Sequence, residues 1–306
     1  MSGYSEPVAS KAAWLLPFMA AVAWGGMFPV AKQALSTLDP VNLTLLRYGA
    51  VALMLVGVVA AQSGIQALRP TSAGRLFVLG TVGILGFNVL MLLGLRHTSS
   101  ERAATVMATL PFATVVIRWA MEGKRPHVSE LMAFAVALGG VALLVTRGDL
   151  SALWLGKVGR GEGLVALAVL CWAVYTYGAG SVKGVTGLRY AAFTTLYGSV
   201  SLAGLSAFLS LTGYAPFPSL AAVAAADWEL GYMITFAGIV AIVAWSSGVR
   251  RLGAGNTAFF INFIPVTDFI WGGLDGRSYT SAAVAGAGMI VVAAVALNLY
   301  RRRTQP

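Results

Sequence analysis

The chain has 306 residues, of which 58% are hydrophobic and only 10% charged, and its mean hydropathy is +0.79. Soluble domains carry roughly a quarter charged residues, so the composition excludes an ordinary water-soluble fold and makes lipid the main solvent. The formal charge of +10 suggests a nucleic-acid surface, but its distribution along the chain, described below, excludes one.

A membrane-spanning helix needs about 20 mostly apolar residues. Apolar runs of this kind occupy residues 13–35, 41–61, 76–95, 103–121, 131–146, 163–182, 190–211, 230–249, 254–274 and 282–300. The predicted fold class is therefore an all-α polytopic membrane protein with ten transmembrane helices. Near the N-terminus, Lys11, the first apolar run and Ala21–Val22–Ala23 imitate a cleavable signal peptide. That run continues through Met27, Phe28, Val30 and Ala31, so an uncleaved first span is expected. Cys171 is the single cysteine and lies within a span, which rules out an internal disulfide or a thiolate cluster.

With the N-terminus placed in the cytoplasm, alternate loops put twelve cations inside and six outside, with Lys32, Arg47 and Arg118 left within spans. The excess on one side supports cytoplasmic N- and C-termini by the positive-inside rule. The basic balance thus reads as topology, and Arg301–Arg302–Arg303 as a surface anchor.

The chain repeats itself. "RHTSSERAATVMATLPFATVVIRWAMEGKRP" from Arg96 aligns with "RRLGAGNTAFFINFIPVTDFIWGGLDGRSYT" from Arg250. At one offset Arg96 meets Arg250, Ala104 meets Ala258 and Pro111 meets Pro265; after a slip of one residue, Glu122-Gly123-Lys124 meets Asp275-Gly276-Arg277. "LRY" recurs at Leu46–Arg47–Tyr48 and Leu188–Arg189–Tyr190, and Trp24 has a counterpart in Trp172. Residues 1–150 and 151–306 are then two five-helix units. An odd number of crossings per unit inverts the second relative to the first, a recurrent plan of secondary transporters with the substrate site near mid-membrane.

Trp24-Gly25 followed by Lys32, and a proline followed by "EGKRP" at the end of span four, resemble the drug/metabolite transporter superfamily, EamA type, over nearly the whole chain. Within it, the chain looks most like bacterial exporters of aromatic amino acids. The resemblance implies helices arranged around a central cavity formed mainly by spans one, three, four, six, eight and nine. The second half differs in Ala173 after Trp172 and in Gly276 where an acid is expected.

Catalytic patterns are absent. No phosphate-binding G-x-x-x-x-G-K-[ST] occurs, since "LGKV" at Leu155–Val158 lacks the upstream glycine and the hydroxyl. His97 and His127 both fall in loops, and Asp268 is the only acid well inside a span. Neither an enzyme nor a cofactor is expected.

Ionisable residues inside a membrane are expensive and call for a partner. Arg118 lies four residues before Glu122, within snorkelling reach of the surface, and Lys32 sits close to the end of span one. Arg47 and Asp268 both lie about 10 Å below the same face at 1.5 Å per residue. A structural ion pair of Asp268 with Arg47 or Lys32 is therefore expected. A proton-carrying Asp268 is the alternative, disfavoured because a cation neighbour keeps a carboxylate ionised.

Pro111 and Pro265 hold equivalent positions and are expected to bend spans four and nine as matched hinges; Pro29 adds a bend to span one. The expected cavity lining is Trp24 and Phe28, four apart on one helical face, Phe87 and Asn88, Trp172 and Tyr175, Trp245, and Phe259, Asn262 and Phe263. The row Gly80, Gly83, Gly86 in span three reads as a close helix contact. Aromatic faces suit a small ring-bearing molecule and amides suit a zwitterionic end; sugar phosphates would call for converging cations. The reading is a bacterial inner-membrane exporter of aromatic or hydrophobic amino acids and related metabolites. The alternatives are a multidrug or aromatic-cation exporter and, outside transport, a membrane scaffold or receptor. The expected partners are a neutral or zwitterionic small molecule and the lipid bilayer, with no nucleic acid.

Overall fold

A computed structural model of the chain describes residues 11–70, 72–123, 125–149, 151, 159–182, 184–252, 259–274 and 276–304; some side chains within these, including those of Phe259, Asn262 and Pro265, lie outside the described set. The described residues form helices and short connections. In order they are α1 (Lys11–Ala34), α2 (Pro40–Ser63), α3 (Ala73–Gly80), α4 (Phe87–His97), α5 (Ser100–Met107), α6 (Leu110–Glu122) and α7 (Val128–Val145). Then come α8 (Arg160–Ala179), α9 (Gly187–Leu211), α10 (Leu220–Ala224), α11 (Asp227–Ile234), α12 (Ala241–Leu252), α13 (Phe263–Leu274) and α14 (Ser281–Thr304). Among the described residues, seven helical stretches are long and apolar enough to cross a membrane, and Val128–Leu144 and Ser281–Leu297 are shorter apolar helices. The expected span 254–274 begins outside the described residues.

The helix ends follow local chemistry. Asp39 caps α2, its Oδ1 accepting from the amides of Val41 (2.9 Å) and Asn42 (3.1 Å), with Pro40 in the first turn where its missing N–H costs nothing. α6 ends at Gly123 in the left-handed conformation, φ +68°, whose amide returns to the Trp119 carbonyl. α7 begins with His127 and Glu130 capping one another.

Lipid offers helices no hydrophobic force to associate, so close backbone approach matters. α7 lies along α14, α2 along α9, and α4 along α8, while α1 packs against α12 and α13. A Cβ on Gly286 would come within 2.5 Å of the Gly140 oxygen, and one on Gly140 within 2.6 Å of the Gly286 oxygen. Gly94 and Gly161 bring α4 and α8 together in the same reciprocal way, at 2.8 and 3.0 Å. The outward faces keep large apolar side chains exposed, among them Leu53, Met132, Val200 and Val292, as a lipid-facing surface requires.

Two irregularities recur at the spacing that separates Arg96 from Arg250. A π-helical turn, Thr81–Gly86, joins α3 to α4, and another, Thr235–Val240, joins α11 to α12. Such i→i+5 turns are rare and favour functional positions. The second irregularity corrects the expectation for Pro111. This proline does not bend a continuous helix: α5 ends at Met107, Ala108 and Thr109 form a turn, and Pro111 sits in the first turn of the new helix α6. Its absent amide is one of those a helix N-terminus leaves unbonded anyway. The counterpart is a single 3₁₀ turn, Phe259–Asn262, running into α13. Pro265 falls in that helix by its backbone, and its side chain lies outside the described residues. α1 carries both Pro17 and Pro29 without interruption.

Candidate functional site

Phe28 and Phe87 are buried in one large apolar core, against which Trp24, Trp172, Trp245 and Phe263 pack while half-buried. These six expected lining residues are thus brought together from five helices. Trp24 lies on Trp245, ring centroids 5.2 Å apart, so α1 meets α12 there. Trp172 lies on Phe87 at 4.8 Å, so α8 meets α4. Phe263 meets Phe18 edge-on at 5.6 Å. The half-buried tryptophans keep ring surface available, whereas Phe28 and Phe87 are fully taken up in packing.

The π-turns lie beneath these aromatics. Trp24 donates its indole N–H to the carbonyl of Ala237 (2.9 Å), inside the second π-turn. In the first, Gly83 leaves room for the ring of Tyr175, which rests directly over it. A glycine row that admits a neighbouring helix is what the sequence predicts. Tyr175 is therefore a packing residue: its hydroxyl shares a hydrogen bond with Thr194 (3.1 Å), and its carbonyl accepts from Tyr190 (2.7 Å). Asn88 is 3% exposed and donates its amide to the Ile84 carbonyl of the same π-turn (2.8 Å). It braces irregular backbone. Phe259 and Asn262, also expected in the lining, have side chains outside the described residues.

Sequence reasoning missed Tyr232 and Trp271. The Tyr232 hydroxyl donates to the Ala23 carbonyl (3.0 Å), beside Gly26, and its ring lies 6.2 Å from that of Trp271. It ties α1 to α11, just before the second π-turn that Trp24 reaches. A membrane tyrosine needs a partner for its hydroxyl, but which backbone it meets depends on helix packing.

Of the intramembrane charges, Arg47 is placed differently from expectation. Arg47, 3% exposed, lies over the ring of Tyr48, 4.6 Å from its centroid, and forms no ion pair among the described residues. α2 packs on α9 whereas α13, which carries Asp268, packs on α1. Equal depth did not make Arg47 and Asp268 neighbours. Asp268 is fully enclosed. Lys32 donates to the carbonyls of Leu95 and Thr98 at the end of α4, where a cation offsets the helix dipole. Arg118 pairs with Glu130 at 2.9 Å, and Glu130, 4% exposed, also accepts from the His127 amide. At the same end of α4, Glu162 accepts from the Thr98 hydroxyl (2.6 Å) and from Arg102 (3.4 Å).

Helices of membrane-crossing length, packed around an aromatic core, define a polytopic helical membrane protein. The chain belongs to the EamA-like transporter family, which matches it twice, over residues 11–146 and 159–299. It is 29% identical over 290 residues to the uncharacterized transporter YrdR of Bacillus subtilis, covering 93% of this chain and 90% of that one. It is 24% identical over 302 residues to a Streptantibioticus cattleyicolor protein named "Probable terminal-alkyne amino-acid exporter", covering 96% of each. A crystal structure of 18% identity superposes with a TM-score of 0.66, covering 96% of this chain and 99% of that one, which shows the shared fold. The protein is a transporter, not an enzyme.

Proposed function

We propose that the protein exports aromatic and hydrophobic amino acids and related small metabolites across the bacterial inner membrane by alternating access, with both termini cytoplasmic. The observation that carries the substrate class is the set of half-buried rings, Trp24, Trp172, Trp245 and Phe263, around one core. Ring faces stack on an aromatic side chain or hold a cation. Lys32, Arg47 and Arg118 are each engaged by carbonyls, a tyrosine ring or Glu130, so among the described residues these three intramembrane cations do not converge on a phosphate in the aromatic core. The relative named as an amino-acid exporter supports the same class.

In this reading the chain is ten spans in two inverted five-helix units, 1–150 and 151–306. The double family match supports it, as does the exchange of partners between halves. Trp24 of α1 meets α12, while its counterpart Trp172 of α8 meets Phe87 of α4. Alternating access then bends the chain at Ala108–Thr109 and at its counterpart before α13.

Purified protein in proteoliposomes tests this. Radiolabelled phenylalanine is expected to move, and faster than an aromatic dication. Preference for the dication would favour a multidrug exporter, and absence of any flux under every gradient would favour a scaffold or receptor.

A further inference from the structure

A cavity of about 180 Å³ lies away from the aromatic core, where α5 begins, α7 ends and α14 begins. Arg102, Arg147, Ser278, Tyr279 and Thr280 give it polar lining, and Leu144 and Ala283 an apolar part. At about 30 Å³ per water this volume holds roughly six waters, or one small charged group with part of an apolar chain.

Three features of this cavity favour negative charge. Arg102 gives Glu162 a single contact of 3.4 Å, and Glu162 already accepts from Thr98 and from the Gly159 amide, so most of the five guanidinium donors are left for another acceptor. The N-terminus of α14 opens into the cavity behind Thr280, whose hydroxyl satisfies the Ala283 amide (3.2 Å), and helix N-termini attract anions. Arg147 is exposed and pairs with no acid among the described residues. The nearby charged groups are Asp149, which accepts from the amide and hydroxyl of Ser151, and Arg277, which donates to Ser100.

The backbone supplies an independent observation. Arg147 has φ +54°, the only positive φ at a non-glycine position among the described residues. It closes α7 with its amide on the Leu144 carbonyl (3.2 Å), and Gly148 follows at φ +92°. Glycine or asparagine would occupy this left-handed position at lower cost. Sparsely populated backbone conformations of this kind cluster at functional sites.

We infer that the α5–α7–α14 cavity is a binding site for an oxyanion, phosphate or carboxylate, held between Arg102 and Arg147, with the apolar part taking the adjoining carbon chain. A lipid headgroup and a free anion both offer this chemistry. The test is thermal unfolding of the purified full chain in neutral detergent. One arm titrates inorganic phosphate against chloride at matched ionic strength. The other adds phosphatidylglycerol or phosphatidylcholine to the micelles. Stabilisation by phosphate identifies a free anion; stabilisation by phosphatidylglycerol alone identifies a lipid. Arg147→Gly should keep or raise the Tm without ligand and weaken half-saturation about tenfold, the loss of one charge-assisted bond. If Arg147→Gly unfolds, Arg147→Gln and Arg102→Gln carry the same comparison. No stabilisation in either arm, or an equal response from wild type and variants, overturns the site.

Discussion

In the proposed function, Trp172 serves packing and recognition together. One contact is a buried ring, Phe87, and it remains half-buried itself. Trp172→Ala removes the face offered to substrate, and phenylalanine KM in proteoliposomes should rise about tenfold, the loss of roughly 1.4 kcal/mol of stacking and apolar contact. Glu130 is a structural residue. It answers both Arg118 and the His127 amide from a nearly closed position. Glu130→Gln should therefore destabilise the protein by about 1–3 kcal/mol, read as a lower Tm in detergent with unchanged substrate KM. At Asp268, enclosed on α13, replacement by Asn should lower the Tm and leave the pH dependence of transport intact. A flattened pH profile in a stable variant would instead make Asp268 the proton carrier.

The breaks and π-turns are properties of elements, and they redistribute the role first given to proline. Pro111 stands after the Ala108–Thr109 turn rather than within a helix. It keeps α5 and α6 apart, because a proline cannot accept continuation of the α5 hydrogen-bond ladder through its own nitrogen. Pro111→Ala permits a continuous helix, and turnover should fall severalfold while equilibrium phenylalanine binding is unchanged. Equal binding and equal turnover in the variant would reduce Pro111 to a helix-start residue. The π-turns are braced by side chains from elsewhere, Trp24 on Ala237 and Asn88 on Ile84. These bonds answer carbonyls that an irregular helix leaves poorly paired in lipid.

Across the whole molecule, the reciprocal glycine contacts set how closely the helices can approach. Gly286 and Gly140 let α7 and α14 touch backbone to backbone. Gly286→Leu forces them apart, and the variant should lose its folded, monodisperse peak in detergent, while the lipid-facing Val292→Leu on the same helix should not. Such contacts replace the hydrophobic force that water supplies to soluble folds.

Much of this was legible along the chain. Composition and the length of its apolar runs determined a helical membrane protein, because unpaired backbone in lipid leaves few other solutions. The matched prolines Pro111 and Pro265 marked two places of expected bending, whereas the π-turns at 81–86 and 235–240 were not foreseen. Trp24, Phe28, Phe87, Trp172, Trp245 and Phe263, expected as cavity lining chiefly from residue type, meet in one core. Tertiary structure alone decided partners. Depth in the membrane is a one-dimensional quantity, so it put Arg47 level with Asp268. The packing of α2 on α9 and of α13 on α1 instead left Arg47 to Tyr48. Arg118 likewise met Glu130 because α7 folds back beside α6. Hydrogen bonds and ion pairs fall off within a few ångströms, and only the fold brings residues far apart in sequence that close together.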